Sequence, residues 1–222
     1  MPRVHQQRRI ETLTCTQHGT NNAIETLERR LFNLPSDYSE RLVAIGSGNT
    51  ETGNDPHKVA EWIRHNGLVD EKVLPFDDSI ETWEQYFSPN PLTNELSNKA
   101  KLWLKNREFK HEWVFQGGSI QNKQKMLLEA LQYSPIGVSV DAWKRNDDGL
   151  YVKTPGDRDN HWTIIVRGEK KKPWKVLDSY YDDDFIKELD WNYDFNFAKL
   201  YVLNYVEKKE CWLKNYFKQL WL

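Results

Sequence analysis

The sequence predicts an α+β fold in two lobes, a mainly helical one over 1–107 and a mainly antiparallel, barrel-like β one over 108–209, with a cleft between them. Apolar residues recur at helical spacing through the first half, as Ala23, Ile24, Leu27, Leu31 and Phe32 show. From about residue 108 the pattern changes to short β-branched and aromatic runs parted by turn sequences. No internal repeat or low-complexity linker separates the halves, so the lobes are expected to pack directly on one another.

The elements follow in chain order. A helix is expected from Thr16 to Phe32, ended by "NLP", which places Cys15 at its N-terminus. "SGNTETGND" reads as a loop, and Asp55 as N-cap, Pro56 at the first helical position and Gly67 as C-cap frame a second helix. Two more helices are expected near 79–87 and 93–105, with "SPNP" as the break between them. "FKHEWVF" is extended, and Ser119 starts a helix running to about Tyr133. The runs "PIGVSVDAW", "HWTIIVRG", "PWKVLDSY" and "AKLYVLNYV" read as strands, with "NDDG" and "GEKKKP" as turns. Residues 210–222 carry Trp212, Leu213, Tyr216, Phe217, Leu220 and Trp221 as the stripe of an amphipathic terminal helix, more simply core packing than a docking or dimer surface.

Composition excludes several classes. With 31 basic against 33 acidic side chains in 222 residues and a net charge of -2, no field favours nucleic acid or an anionic membrane. No apolar run approaches the roughly 20 residues that span a bilayer, and "MPRVHQQRRI" lacks the apolar stretch of a signal peptide. Two cysteines cannot build a disulfide framework, so a reducing, cytoplasmic setting is expected, with processing from a longer viral or cellular polyprotein left open. The ten tryptophans and ten tyrosines are expected mainly as large core pieces.

Chemistry-bearing residues stand out against that background. A thiol at a helix N-terminus meets the partial positive charge of unpaired backbone N–H groups, which favours the nucleophilic thiolate. His161 in "RDNHWTIIV" enters a strand directly after a polar turn, and Asp178 in "WKVLDSYY" ends the next one. If those strands are neighbours, the two side chains share a hydrogen bond. Each residue alone has a plainer reading: a buried thiol, a histidine satisfied by backbone, a turn aspartate. Cys211 has no histidine beside it in sequence and reads as structural. "KKK" at 170–172 and "DDD" at 182–184 read as solvated turns. His5, His18, His57, His65 and His111 show no metal-ligand spacing with the cysteines, so no metal site is expected.

Taken together, the motifs resemble those of the papain-like cysteine peptidases. Ile24-Glu25 follow Cys15 as in that family's nucleophile helix, and His161 lies 146 positions after Cys15, within the family's range of about 130–150. "SPIGVSVDA", "DNHWTIIV" and "KVLDSYY" resemble its barrel strand, histidine segment and orienting-residue segment in order. "GNDPHKVAEWIRHNGLVDEKVLPF" resembles its Gly-Gly-x-Pro loop and following helix. Three departures stand out: Asp178 replaces a neutral asparagine, Tyr180 a shielding tryptophan, and Asn54 the loop's second glycine.

The resemblance implies Cys15 as nucleophile, His161 as general base and acid, and Asp178 as the group that orients the imidazole, with no cofactor. It implies a side-chain oxyanion donor upstream, for which Gln7 is the candidate and Gln6 the rival, with two residues more than usual before Cys15. Gly53 and Asn54 are then expected to meet the backbone of a bound peptide, Ser139, Asp159 and Trp162 to border the specificity pocket, and Tyr180 to cover the triad. The expected activity is peptide-bond hydrolysis through a thioester acyl-enzyme on a peptide or protein substrate. The alternatives are acyl transfer or amidase chemistry at the same site, and a catalytically inactive peptide-binding homologue.

Overall fold

The computed structural model describes residues 7–87, 92–154, 156–180 and 185–206. The expected helix at 210–222, Cys211, Gln6 and the acidic run at 182–184 lie outside the described residues.

Helix α1 runs Cys15–Phe32 and ends at Asn33 in the left-handed conformation, φ 54°. Ala23, Ile24 and Leu27 are its buried stripe, whereas Leu31, expected to share it, is 49% exposed because the helix end overhangs the core. Helix α2, Glu40–Ser47, has no counterpart among the helices expected from sequence. It is held at its start by Ser39, whose hydroxyl accepts from Leu42 N–H at 3.1 Å, and stopped by Gly48 at φ 75°. Helix α3, Pro56–Asn66, has the expected caps: Asp55 accepts from His57 N–H at 2.6 Å and Lys58 N–H at 3.1 Å.

Helices α4, Trp83–Phe87, and α5, Asn94–Trp103, are shorter than expected. Asp77 is the reason for the first, since its carboxylate accepts from Ser79 N–H at 2.9 Å and keeps that segment in a turn.

After strand β1, Arg107–Gln116, and helix α6, Ile120–Ala130, the remaining strands are β2 Ile136–Val140, β3 Lys144–Arg145, β4 Tyr151–Val152, β5 His161–Arg167, β6 Trp174–Leu177, β7 Ile186–Leu189 and β8 Phe197–Tyr205. They form a sheet in the order β1-β8-β2-β5-β6-β7-β4-β3, antiparallel at every junction except β4 with β7. The short strands β3, β4 and β7 were not expected from sequence. The lysine run 170–172 is an exposed turn between β5 and β6, as expected.

The central strands β2 and β5 are buried on both faces, which explains their near-continuous apolar runs. The period of two sends neighbours apart: Ile164 joins a cluster with Ile24, Leu27 and Tyr201, while Ile165 joins one with Leu127, Ile136 and Trp174. Helix α1 therefore covers one face of the sheet and α6 the other. Among the described residues no helix is long and apolar enough to cross a membrane.

One polar cluster is built into the helical half. Burial, with the charges of Asp37, Glu28 and Glu71, raises Glu25 to about 8; burial also raises Glu71 to about 7 and lifts Glu40 well above the usual carboxylate range. Groups raised on folding hold protons that the unfolded chain releases. Their stabilisation is full below the ordinary glutamate value of 4.5 and is lost as pH rises through about 7 and 8. The melting temperature should accordingly fall between pH 5 and 8.5, and by less in Glu25→Gln. An equal fall in both proteins would show that Glu25 is not the group being titrated.

Candidate active site

Cys15 is half-buried as the first residue of α1, so its own N–H is among those with no partner inside the helix. The approach to it is tied down by side chains. Glu11 accepts from Leu13 N–H at 2.9 Å, and Asn49, just beyond α2, donates to the Thr12 carbonyl at 3.0 Å. Gln17 of α1 donates to Asn49 at 3.2 Å, which ties helix and entry segment to one residue. The unexpected helix α2 is thus what fixes the backbone leading into the thiol.

His161 opens β5 and pairs with Val140 of β2. The segment ahead of it is set by Asn160, whose N–H donates to the Val140 carbonyl at 2.9 Å and whose side chain accepts from Ala142 N–H at 2.9 Å. Trp162 wedges beside it, and two glycines make the room. A Cβ at Gly19 of α1 would stand 2.8 Å from the indole, and one at Gly137 of β2 would stand 2.6 Å from it. Helix and strand therefore meet closely where Cys15 and His161 approach each other.

Asp178 follows β6 directly and its N–H donates to the Phe185 carbonyl at 2.9 Å. Its Oδ1 lies 2.5 Å from His161 Nε2, and the Cys15 side chain is close enough to the imidazole to act on its protonation. With Nε2 committed to the carboxylate, Nδ1 is the nitrogen left to serve the thiol. Three side chains that are far apart in sequence thus form one line, Cys15 to His161 to Asp178.

The electrostatics reinforce that line. Burial alone would lower the imidazole, but the charge and hydrogen bond of Asp178, with those of Cys15, outweigh it and raise His161 to about 10. Burial works against the ionised Asp178, yet His161 and Lys187 hold it below the usual carboxylate range. Tyr180 lies 4.8 Å from the imidazole, ring to ring, and Trp143 packs edge-on to the same ring at 5.6 Å. Together they shield the His161–Asp178 hydrogen bond from water.

A cleft of about 450 Å³ opens over Cys15 and His161. Gly53, Asn54, Ser139, Asp159, Trp162 and Tyr180, the expected binding residues, all line it. Asn54 is fixed by donating to the Ser47 hydroxyl at 2.9 Å, and Asp159 pairs with Lys153 at 2.5 Å.

Gln7 does not join them. The two additional residues before Cys15 are taken up in a reversal closed by the Gln7–Glu11 bridge, which leaves Gln7 exposed and outside the cleft lining. Sequence reasoning also missed several neighbours. Trp113, Phe197, Pro56 and Asn160 line the cleft, and Lys187 lies behind Asp178. Asn160 was signalled by its place next to His161. Lys187 was not, because a lysine in a short strand reads as a solvent-facing residue. Among the described residues no three metal-ligating side chains converge.

No protein-family model matches the chain, and no curated protein matches it. Solved structures do. The bromelain protease of Ananas comosus is 16% identical with a TM-score of 0.61, covering 91% of this chain and 94% of its own. A cysteine protease of Carica candamarcensis is 10% identical with a TM-score of 0.64, covering 91% and 93%. A digestive procathepsin L 3 of Tenebrio molitor is 15% identical with a TM-score of 0.62, covering 90% and 67%. The chain has the α+β papain-like fold, in a strongly diverged sequence.

Proposed function

We propose that this protein hydrolyses peptide bonds in a peptide or protein substrate through a Cys15 thioester. The observation that carries the reading is the Cys15–His161–Asp178 line inside a single cleft. The named similarities to cysteine proteases agree with it.

In this reading His161 takes the thiol proton through Nδ1, and Asp178 holds Nε2 so that the ring faces sulfur. Attack on the scissile carbonyl builds an oxyanion next to the N-terminus of α1, where the Cys15 N–H is free to donate. The imidazolium then protonates the leaving amine, and after the amine departs the same ring activates water against the thioester. Gln7 has no part in this account. The extended substrate would lie across Gly53 and Asn54, with one side chain entering the recess bordered by Ser139, Asp159 and Trp162.

A mixed peptide library analysed by mass spectrometry tests the reaction directly. Cleaved peptides with free carboxyl ends are expected, and turnover should persist into alkaline solution, fading as pH passes about 10, where His161 loses its proton. Added amine separates the related reaction: products capped by the amine in preference to water would make this an acyltransferase. Intact peptides at every pH, with no mass shift on the protein from an epoxide thiol probe, would remove the enzymatic reading.

A further inference from the structure

Asp178 uses both of its oxygens. Oδ1 faces His161 Nε2 at 2.5 Å, and Oδ2 faces Lys187 Nζ at 2.9 Å. All three side chains are sealed from solvent, with exposures of 3% for His161, 0% for Asp178 and 2% for Lys187. Lysine is almost never fully buried unless it is paired, and here the partner is the residue that orients the histidine.

The register explains how Lys187 arrives there. Strand β7 pairs with the end of β6 through Val176↔Lys187 and Leu177↔Ile186, one step from Asp178. The ammonium also lies 5.4 Å from the centroid of the Trp143 ring, the ring that packs edge-on to His161. It further donates to the Tyr180 carbonyl at 3.5 Å. Lys187 therefore touches Asp178 and both aromatic residues that enclose the imidazole.

We propose that Lys187 is a positioning residue of this site, an ammonium that acts on His161 through the Asp178 carboxylate by fixing its direction and balancing its charge. The proposal rests on the reading of Cys15 as nucleophile. Its physical basis is a charge count. With thiol and imidazole neutral, Asp178 and Lys187 cancel. With thiolate and imidazolium formed, all four groups still sum to zero. The proton can move from sulfur to nitrogen without the sealed cluster acquiring net charge, whereas without Lys187 it would carry one negative charge in either state.

A carboxylate without that counter-charge would bind the imidazolium more tightly and make it a weaker proton donor to the leaving group. The groups that face this line are Cys15 from α1, Asp178 beyond β6 and Lys187 from β7, with Tyr180 and the Glu11 carboxylate that its hydroxyl meets. Asp159 in the cleft wall is engaged by Lys153 instead.

The test measures the alkylation rate of Cys15 by iodoacetamide between pH 5 and 11, located by peptide mass mapping, and needs no substrate. Lys187→Met should move the histidine-dependent limb of the profile up by about half a pH unit or more. Lys187→Arg, which keeps the charge, should return most of that shift. With Asp178 already changed to Asn, adding Lys187→Met should move nothing, because the lysine acts through the carboxylate. Lys187→Gln, a second neutral variant with the same expected shift, carries the test if Lys187→Met fails to fold.

Coincident wild-type and Lys187→Met profiles would overturn the proposal, as would a shift of equal size with Asn at 178. A wild-type profile identical to that of His161→Ala would instead remove the nucleophile reading itself. The two failures are therefore distinguishable in one set of curves.

Discussion

Cys15→Ala should abolish peptide turnover, by at least about a thousandfold, while the protein still folds. The size follows from the way a nucleophile and its base work as a unit: removing one member forfeits nearly all of their joint effect. Stability should change by only about 1 kcal/mol or less, because Cys15 is half-buried at a helix terminus and not a core residue. Melting temperature and circular dichroism check the fold, and the library assay checks the activity. Turnover surviving in Cys15→Ala would place the chemistry elsewhere, whatever the geometry of His161 and Asp178.

The same variant separates two uses of the cleft. A protein that only binds peptides would bind them equally well without the sulfur. A peptidase lacking its nucleophile would bind them and fail to cut. Equal affinity with turnover lost supports the enzyme; equal affinity with no turnover in either protein supports the binding module.

What could be read from the sequence was what motif order carries. Cys15, His161 and Asp178 lie at helix and strand ends whose signals are strong, and the strands bearing the last two are adjacent, as the shared hydrogen bond required. The cleft residues Asn54, Ser139 and Asp159 were legible because each sits beside one of those motifs. Three things were not. Helix α2 has only eight residues and runs straight into a glycine-rich loop, so its short apolar run had no length to declare a period. Gln7 was named as an upstream glutamine two residues further from Cys15 than the resemblance expects, and those residues are absorbed in a local turn that leaves it outside the cleft. Lys187 was invisible because its burial follows from a charge partner that only strand pairing supplies.

Arg107→Met should cost about 3–5 kcal/mol of folding stability, the range for a buried ion pair that loses one partner. Glu28, on α1, has a fully buried side chain and accepts from Arg107 Nε at 2.5 Å. It also accepts from the Ser36 hydroxyl, and from the Tyr38 hydroxyl at 2.7 Å, which in turn accepts from the Trp103 indole N–H at 2.8 Å. Arg107 opens β1 and lies over the rings of Trp103 and Tyr205, at 5.4 Å and 4.9 Å. Methionine keeps much of the apolar stem but leaves the Glu28 charge with hydroxyl partners alone. A fall in melting temperature on the order of 10 °C is expected for a chain of this length. Glu28→Gln combined with Arg107→Met should recover part of it, since neither charge is then left buried alone. The pair lies roughly 20 Å along α1 from Cys15, so it holds α1 against the sheet without touching the thiol. At 25 °C the folded fraction of Arg107→Met should therefore alkylate Cys15 at the wild-type rate. A melting temperature within 2 °C of wild type would show that other contacts hold α1 to β1. A slowed alkylation rate in fully folded protein would mean that the far end of the helix governs the position of the sulfur.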